Sequence, residues 1–335
     1  MSRYATARRR ELERECARHR LDLVLTPGLT VVPSAELRAA GGGHYRVFTP
    51  YWRAWRAATW RRRYPVPRAI TMPAIDRIGR IPAAGHGASP GLAKGGEQAG
   101  RRRFASWRHR GLAVYDADHD DLAADQTSRL SAYLRFGCVS PLAVAIGALD
   151  RPGGEGFCRQ LAWRDFFYQV TAAFPDIATK NYRPGAAWRE DQHALDAWRA
   201  GQTGIPIVDA GLRQLAAEGF MHNRARMVTA SFLTRNLGID WRHGYRHFGT
   251  LLADGDVACN AGNWQWVAGT GNNTRPNRVM SPLRQAQRFD RAARYVRRYV
   301  LELAGLDPAH AQAPWKLPAA HRERLGYPAP IVELG

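Results

Sequence analysis

The sequence predicts a mainly α-helical domain preceded by a truncated α/β segment. Three observations carry that expectation. Helical periodicity runs from residue 127 almost to the end, one apolar run near the start (Leu21 to Thr26) reads as a strand, and a polar stretch at 253–282 interrupts the helices.

Residues 4–20 are charged with a helical pattern, and Val31-Val32 adds a possible second strand. Residues 50–63 form a basic aromatic helix with Trp52, Trp55 and Trp60. One strand cannot make a sheet, so in this helix–strand–helix fragment of an α/β layer, 1–63, either the rest of the layer is missing or the segment packs on the helical part. Residues 64–126, rich in Pro, Gly and Arg, read as a connector, with the composition of disorder from Gly85 to Gly100. The helical domain is 127–335. Its expected helices are 128–136, 140–149, 154–174, 190–200, 206–217, 221–235, 241–252 and 284–303. Thr127, Ser128 and Ser140 suit caps, and Pro141 suits a first helical position. The loop at 253–282 is a candidate site because it is polar between helices.

Forty-nine Lys and Arg against 29 Asp and Glu give a net charge of +20. Such a charge favours a polyanion, most commonly nucleic acid, although an arginine-rich composition produces the same number without any partner. No apolar run reaches eighteen residues, so no membrane span is expected. The opening MSRYATARRR has no apolar stretch of a secretory signal. Cys16, Cys138, Cys158 and Cys259 are spaced neither as a zinc site nor as a disulfide framework. A reduced cytoplasmic monomer is the natural reading.

Four segments carry chemistry. Thr127-Ser-Arg-Leu-Ser131 places hydroxyls and free N–H groups where a phosphate sits, a pattern that an ordinary cap shares. Gln160, Trp163 and Arg164 share a helix face and suit a base edge and its ring, or else mark the margin of a core. Asn223 and Met227 lie four apart within Met221-His-Asn-Arg-Ala-Arg-Met227, and Arg226 projects elsewhere to pair with an acid. Asp254-Gly-Asp256 and Asn260 to Trp266 place acids, an amide and two indoles in one run.

TSRLS, QLAWRDFF, TGIPIVDAGLRQL, MHNRARM, IDW, DGDVACNAGNWQW and a closing YPAPIVEL follow in order. From about Tyr115 onward the chain resembles the photolyase/cryptochrome family. The resemblance implies a helical FAD-binding photolyase domain, preceded by a truncated Rossmann-like remnant of an antenna domain. It assigns flavin contacts to Tyr115, Thr127, Ser128, Arg129, Leu130, Ser131, Phe157, Arg164, Asn223, Arg226, Asp254, Gly255, Asp256 and Asn260. Phe157 stands where many members carry Trp. Arg226 would pair with Asp254, and Asn260 would face flavin N5. Trp264, Trp241 and Trp188 would relay electrons from the flavin toward the surface.

The same resemblance puts Gln160, Trp163, Asn223, Met227 and Trp266 on the wall that receives a flipped pyrimidine dimer, with Arg278 and Gln285 on DNA nearby. The implied activity is light-driven repair of cyclobutane pyrimidine dimers in double-stranded DNA by electron transfer from reduced FAD. Gln160 stands where many such enzymes have Glu and also occurs in members acting on the (6-4) photoproduct; those usually have His in place of Asn223. Other readings are a cryptochrome-like blue-light receptor and a non-functional DNA-binding fragment. Only the end of the amino-terminal antenna domain is matched, which suggests a mis-assigned start or a gene fragment, and no antenna chromophore follows from it.

Overall fold

Caps and apolar spacing set most of the helices. The computed structural model of the chain describes residues 2–65, 67–72, 74, 79–80, 89–185 and 187–333. α1 (Arg3–Arg18) starts at Ser2, whose hydroxyl accepts from the Ala5 N–H, and it buries none of its residues. α2 (Phe48–Ala57) buries Phe48, Tyr51 and Trp55, spaced for one face. Then come α3 (Glu97–Arg110), α4 (Tyr115–Asp118), α5 (Ser131–Arg135) and α6 (Pro141–Leu149), the last with Ser140 as cap and Pro141 at its first turn.

α7 (Gly154–Ala173) is buried along much of its length, and α8 (Gln192–Ala200) is capped by Asp191 and closed by left-handed Gly201. α9 (Pro206–Glu218) ends at left-handed Gly219. α10 (Asn223–Ser231) continues into a wider π-type turn at Phe232–Asn236. α11 (Trp241–Leu251) and α12 (Val257–Ala268) are capped by Asp240 and Asp256. α13 (Pro282–Phe289), α14 (Arg294–Tyr299), α15 (Pro308–Gln312) and α16 (Ala319–Leu325) complete the chain.

Two apolar cores result. One gathers around α2 and α5 to α7, the other around α8 to α11 and α14. They meet on α12, whose Ala258 and Ala261 belong to the first and whose Trp264 and Val267 belong to the second. Two glycines allow the close approach. A Cβ on Gly262 would meet Phe167 of α7 at 2.2 Å, and one on Gly244 would meet the Trp264 ring at 2.0 Å. Helix α12 is therefore clamped between α7 and α11.

Several expectations need correction. Residues 21–26 are not a strand: among the described residues there is no ladder, only a single bridge between Arg189 and Ile239. A lone strand has no neighbour to take its N–H and C=O groups, so Leu21, Val24 and Leu25 lie exposed in an irregular segment. The α/β remnant is thus not seen as an α/β layer. Val31 and Val32 are buried, but they bond to the Asp165 carboxylate instead of a strand.

The connector contains α3 and α4. Of the stretch read as disordered, 85–88 lie outside the described residues. Beyond them the chain packs on α9, with the Gly91 N–H on the Ala217 carbonyl at 2.7 Å. The polar run 253–282 contains α12, because Asp256 caps it and its Ala, Val and Trp side chains find cores on both sides. The expected helix 284–303 is broken at Ala293, which has φ +52° and a buried position after Asp290.

Candidate flavin and lesion site

Helices α7, α10 and α12, with the turn before α12, carry many of the sequence-predicted residues. Arg226 of α10 reaches Asp254, just before α12, with two parallel bonds of 3.0 and 2.9 Å. Its Nε also donates to the Met221 carbonyl. Burial works against the Asp254 charge, but the Arg226 guanidinium and bonds from Arg226 and Ser131 outweigh it, holding the carboxyl below its ordinary range. Ser131 opens α5, so this acid ties α5 and α10 to the start of α12.

Asp256 caps α12 by accepting from the Cys259 N–H, and its second oxygen accepts from the Tyr168 hydroxyl. Burial keeps that phenol protonated. Arg164 lies over the Tyr168 ring at 4.6 Å and bonds the Leu29 carbonyl. Its side chain therefore reaches Asp256 only through Tyr168. Asn260, one turn on, donates to the Tyr245 carbonyl at 3.0 Å, which fixes its amide orientation.

The Thr127–Ser131 segment turns sharply, with Arg129 at φ +51°. The Arg129 side chain is held by Asp125 and Glu218 at 2.6 and 2.7 Å and covers Phe220. Only its backbone is free to serve a ligand, whereas Leu130 is fully buried, with its N–H on Ser128 Oγ and its carbonyl accepting from the Leu134 N–H. The Thr127 hydroxyl is buried and has no hydrogen-bond partner among the described residues. A buried orphan of this kind fits a phosphate oxygen. Tyr115 packs edge-on against Phe157 at 5.7 Å, and Trp107 fills the space beside both. At Gly255, just before α12, an added Cβ would meet the Leu252 carbonyl at 3.1 Å.

Trp163 and Trp266 meet edge to face at 5.1 Å, bringing α7 and α12 together. Asn223 lies beside Met227, its amide nitrogen 3.9 Å from the sulfur. Gln160 is exposed one turn before Trp163. Phe48 was not singled out from the sequence, yet it lies flat on Trp163 with centroids 3.6 Å apart and an angle of 7°. Arg278 is exposed in the loop 269–281, whose ends are tied down by the Met280 N–H to Ser231 and by Arg235 to the Val267 and Pro276 carbonyls. Gln285, half-buried on α13, is the other expected DNA contact.

Trp264 and Trp241 are buried and Trp188 partly so. Trp264 contacts Phe248 at 4.9 Å and Trp198 at 6.0 Å, while Trp241 contacts Tyr245 and bonds Asn181. None of the three expected relay indoles stacks directly on another among the described residues. Trp198, which the sequence reading does not single out, sits beside Trp264.

Replacing Phe48 by Leu is expected to leave the fold intact while freeing the Trp163 ring. An aromatic stack contributes about 0.5–1.5 kcal/mol beyond burial. Under the lesion-binding role that the resemblance implies for Trp163, affinity for a dimer-containing duplex should fall several-fold, with intact-duplex binding unchanged in a competition titration.

Comparison with known proteins places this architecture. Residues 157–335 match the FAD binding domain of DNA photolyase, and residues 1–71 match the DNA photolyase profile. The deoxyribodipyrimidine photo-lyase of Streptomyces griseus is 47% identical over 346 residues, covering 100% of this chain and 75% of that protein. The class III photolyase of Agrobacterium tumefaciens superposes with a TM-score of 0.89 at 33% identity, covering 99% of this chain and 74% of that one. The cryptochrome of Synechocystis superposes with a TM-score of 0.84 at 29% identity, with 99% and 75% covered. The chain belongs to the DNA photolyase family, and its carboxy-terminal half is that family's FAD-binding domain. No described helix is long and apolar enough to cross a membrane.

Proposed function

We propose that this protein is a light-driven deoxyribodipyrimidine photo-lyase that splits cyclobutane pyrimidine dimers in double-stranded DNA. The observation that carries the reading is the span of α12: the turn at its start holds Asp254 in the two-point pair with Arg226 of α10, and its far end brings Trp266 edge to face against Trp163 of α7. A base extruded into that corner would lie beside the cofactor, and a damaged pair is less costly to extrude.

FAD fits the chain: the orphan Thr127 hydroxyl and the Ser128 and Ser131 segment would hold its diphosphate, and Arg226, Asp254, Asp256 and Asn260 would border its ring. Reduced and excited by light, bound FAD would lend the electron that opens the cyclobutane ring and take it back once the ring has split, with no net oxidation. Trp163 and Trp266 hold the dimer by stacking, Gln160 and Asn223 offer amides to its base edges, and Met227 fills the apolar remainder. Trp264, Trp241 and Trp188 serve as electron donors toward the flavin site. Arg278, Gln285 and the net charge of +20 bind the duplex backbone. The protein acts as a cytoplasmic monomer under this reading.

The test is repair of a dimer-containing oligonucleotide by the purified flavin-loaded protein in blue or near-ultraviolet light and in darkness. Repair in light alone is expected. Equal repair in darkness, or none in light, overturns the reading. The likeness to the Synechocystis cryptochrome supports a second reading, a light receptor without repair. That reading predicts equal affinity for damaged and intact duplex.

A further inference from the structure

We propose that Arg103 is a positioning residue for the cofactor diphosphate, acting from α3 on the backbone of the Thr127–Ser131 segment. The inference rests on the FAD-binding reading and goes beyond it, because Arg103 lies outside the TSRLS motif and in a stretch whose sequence suggests only a connector.

Helix α3 is pressed against the start of the helical domain. A Cβ on Gly100 would meet Val139 at 2.9 Å and Tyr133 at 3.0 Å, so the glycine permits contact that a side chain would block. Arg103 and Trp107 follow on that face, three and seven residues later. Arg103 Nε donates to the Ser128 carbonyl at 2.9 Å, and its Nη2 to the Thr127 carbonyl at 3.2 Å. Trp107 Nε1 donates to the Gln126 carbonyl at 3.0 Å. Three consecutive carbonyls are thus fixed toward α3.

Each of these carbonyls is the negative end of a peptide dipole. Left free to rotate toward a diphosphate, they would repel it. With Arg103 and Trp107 holding them, the Thr127 hydroxyl is the orphan of the segment, while the Ser128 hydroxyl takes the Leu130 N–H and the Ser131 hydroxyl bonds Asp254. The charge balance points the same way. Arg129, the arginine inside the motif, is neutralised by Asp125 and Glu218. Arg103 is half-buried and bonds to neutral carbonyls, so its positive charge remains available to the ligand.

The experiment compares flavin-free full-length protein, wild type and Arg103→Met, titrated with FAD, FMN and riboflavin. Riboflavin carries the ring without any phosphate. Loss of hydrogen bonds to a charged donor predicts a fall in FAD affinity of roughly tenfold or more. Riboflavin affinity should be unchanged, and Arg103→Lys should recover part of the loss, since it keeps the charge but not the two-carbonyl fork. Unchanged FAD affinity in Arg103→Met overturns the proposal. An equal loss for FAD and riboflavin also overturns it, because it marks a general structural role. Should the Met variant fail to fold, Arg103→Lys reads the same comparison, and equal FAD and riboflavin effects there overturn the proposal. Failure of the wild type to bind FAD instead overturns the family-based reading of the cofactor.

Discussion

Replacing Arg226 by Ala should destabilise the protein by about 3–5 kcal/mol, the cost of leaving a buried carboxylate unpaired. The Asp254 side chain is 7% exposed, and Arg226 is its two-point partner. Without the guanidinium, burial becomes the dominant influence on Asp254, and its carboxyl moves from below its ordinary range to above it. In the wild type the depressed pKa contributes stability above the unfolded value, and that stability is lost as pH falls through the folded one. In the variant the sign reverses: stability falls as pH rises through the unfolded value. Denaturant unfolding at pH 4.5 and 7 measures both effects, and absorbance at flavin wavelengths reads retained cofactor. Arg226→Lys should be intermediate, since a single ammonium replaces a bidentate fork. A loss below about 1 kcal/mol for Arg226→Ala would contradict this account of the ion pair.

The second large effect concerns Asp165 of α7. One of its oxygens accepts from the Val31 N–H at 2.8 Å, the Val32 N–H at 3.3 Å and Trp55 Nε1 at 2.9 Å. The other oxygen has no hydrogen-bond partner among the described residues. This carboxylate joins the 29–60 region to the helical domain. Asp165→Ala leaves three buried donors unpaired and should cost roughly 3 kcal/mol or more. Asp165→Asn keeps an acceptor for them and should cost less.

The two variants also separate charge from bonding. Burial pushes the Asp165 carboxyl up to about 6, despite bonds from Trp55, Val31 and Val32 and the nearby Arg164. The folded state then holds the proton more tightly than the unfolded one, so stability declines as pH rises from about 4 to 6. His222 acts in the opposite direction. Burial lowers its pKa to about 4, so its contribution is lost as pH falls below the unfolded value of 6.5. The difference between wild type and Asp165→Asn isolates the carboxyl. Wild type should gain on the variant by on the order of 2–3 kcal/mol between pH 7 and 4.5. A difference that does not vary with pH would rule out the raised pKa.

Both predictions concern residues whose types were visible in the sequence but whose partners were not. The pairing of Arg226 with Asp254 was expected from the run of motifs, and the geometry bears it out. Asp165 and Phe48 belong to the second kind. Nothing in QLAWRDFF signals that its aspartate holds backbone N–H groups 134 and 133 residues away. The FTPYW stretch likewise gives no sign that its phenylalanine lies on Trp163. Periodicity reports which face of a helix is apolar and not what covers it.

The sequence by itself determined the helical class, most helix starts and the family, because caps, spacing and ordered motifs are local signals. It misread 21–26 as a strand, since apolar alternation is the same whether or not a neighbouring strand exists. It misread 257–268 as loop, since the polar letters of α12 hide a helix whose small residues admit α7 and α11 at close range. Only the tertiary structure decided that Arg129 is held by Asp125 and Glu218 and that Arg103 bonds the Thr127 and Ser128 carbonyls. The reason is that a guanidinium's role is set by the acceptors within reach, and most of those come from other segments of the chain.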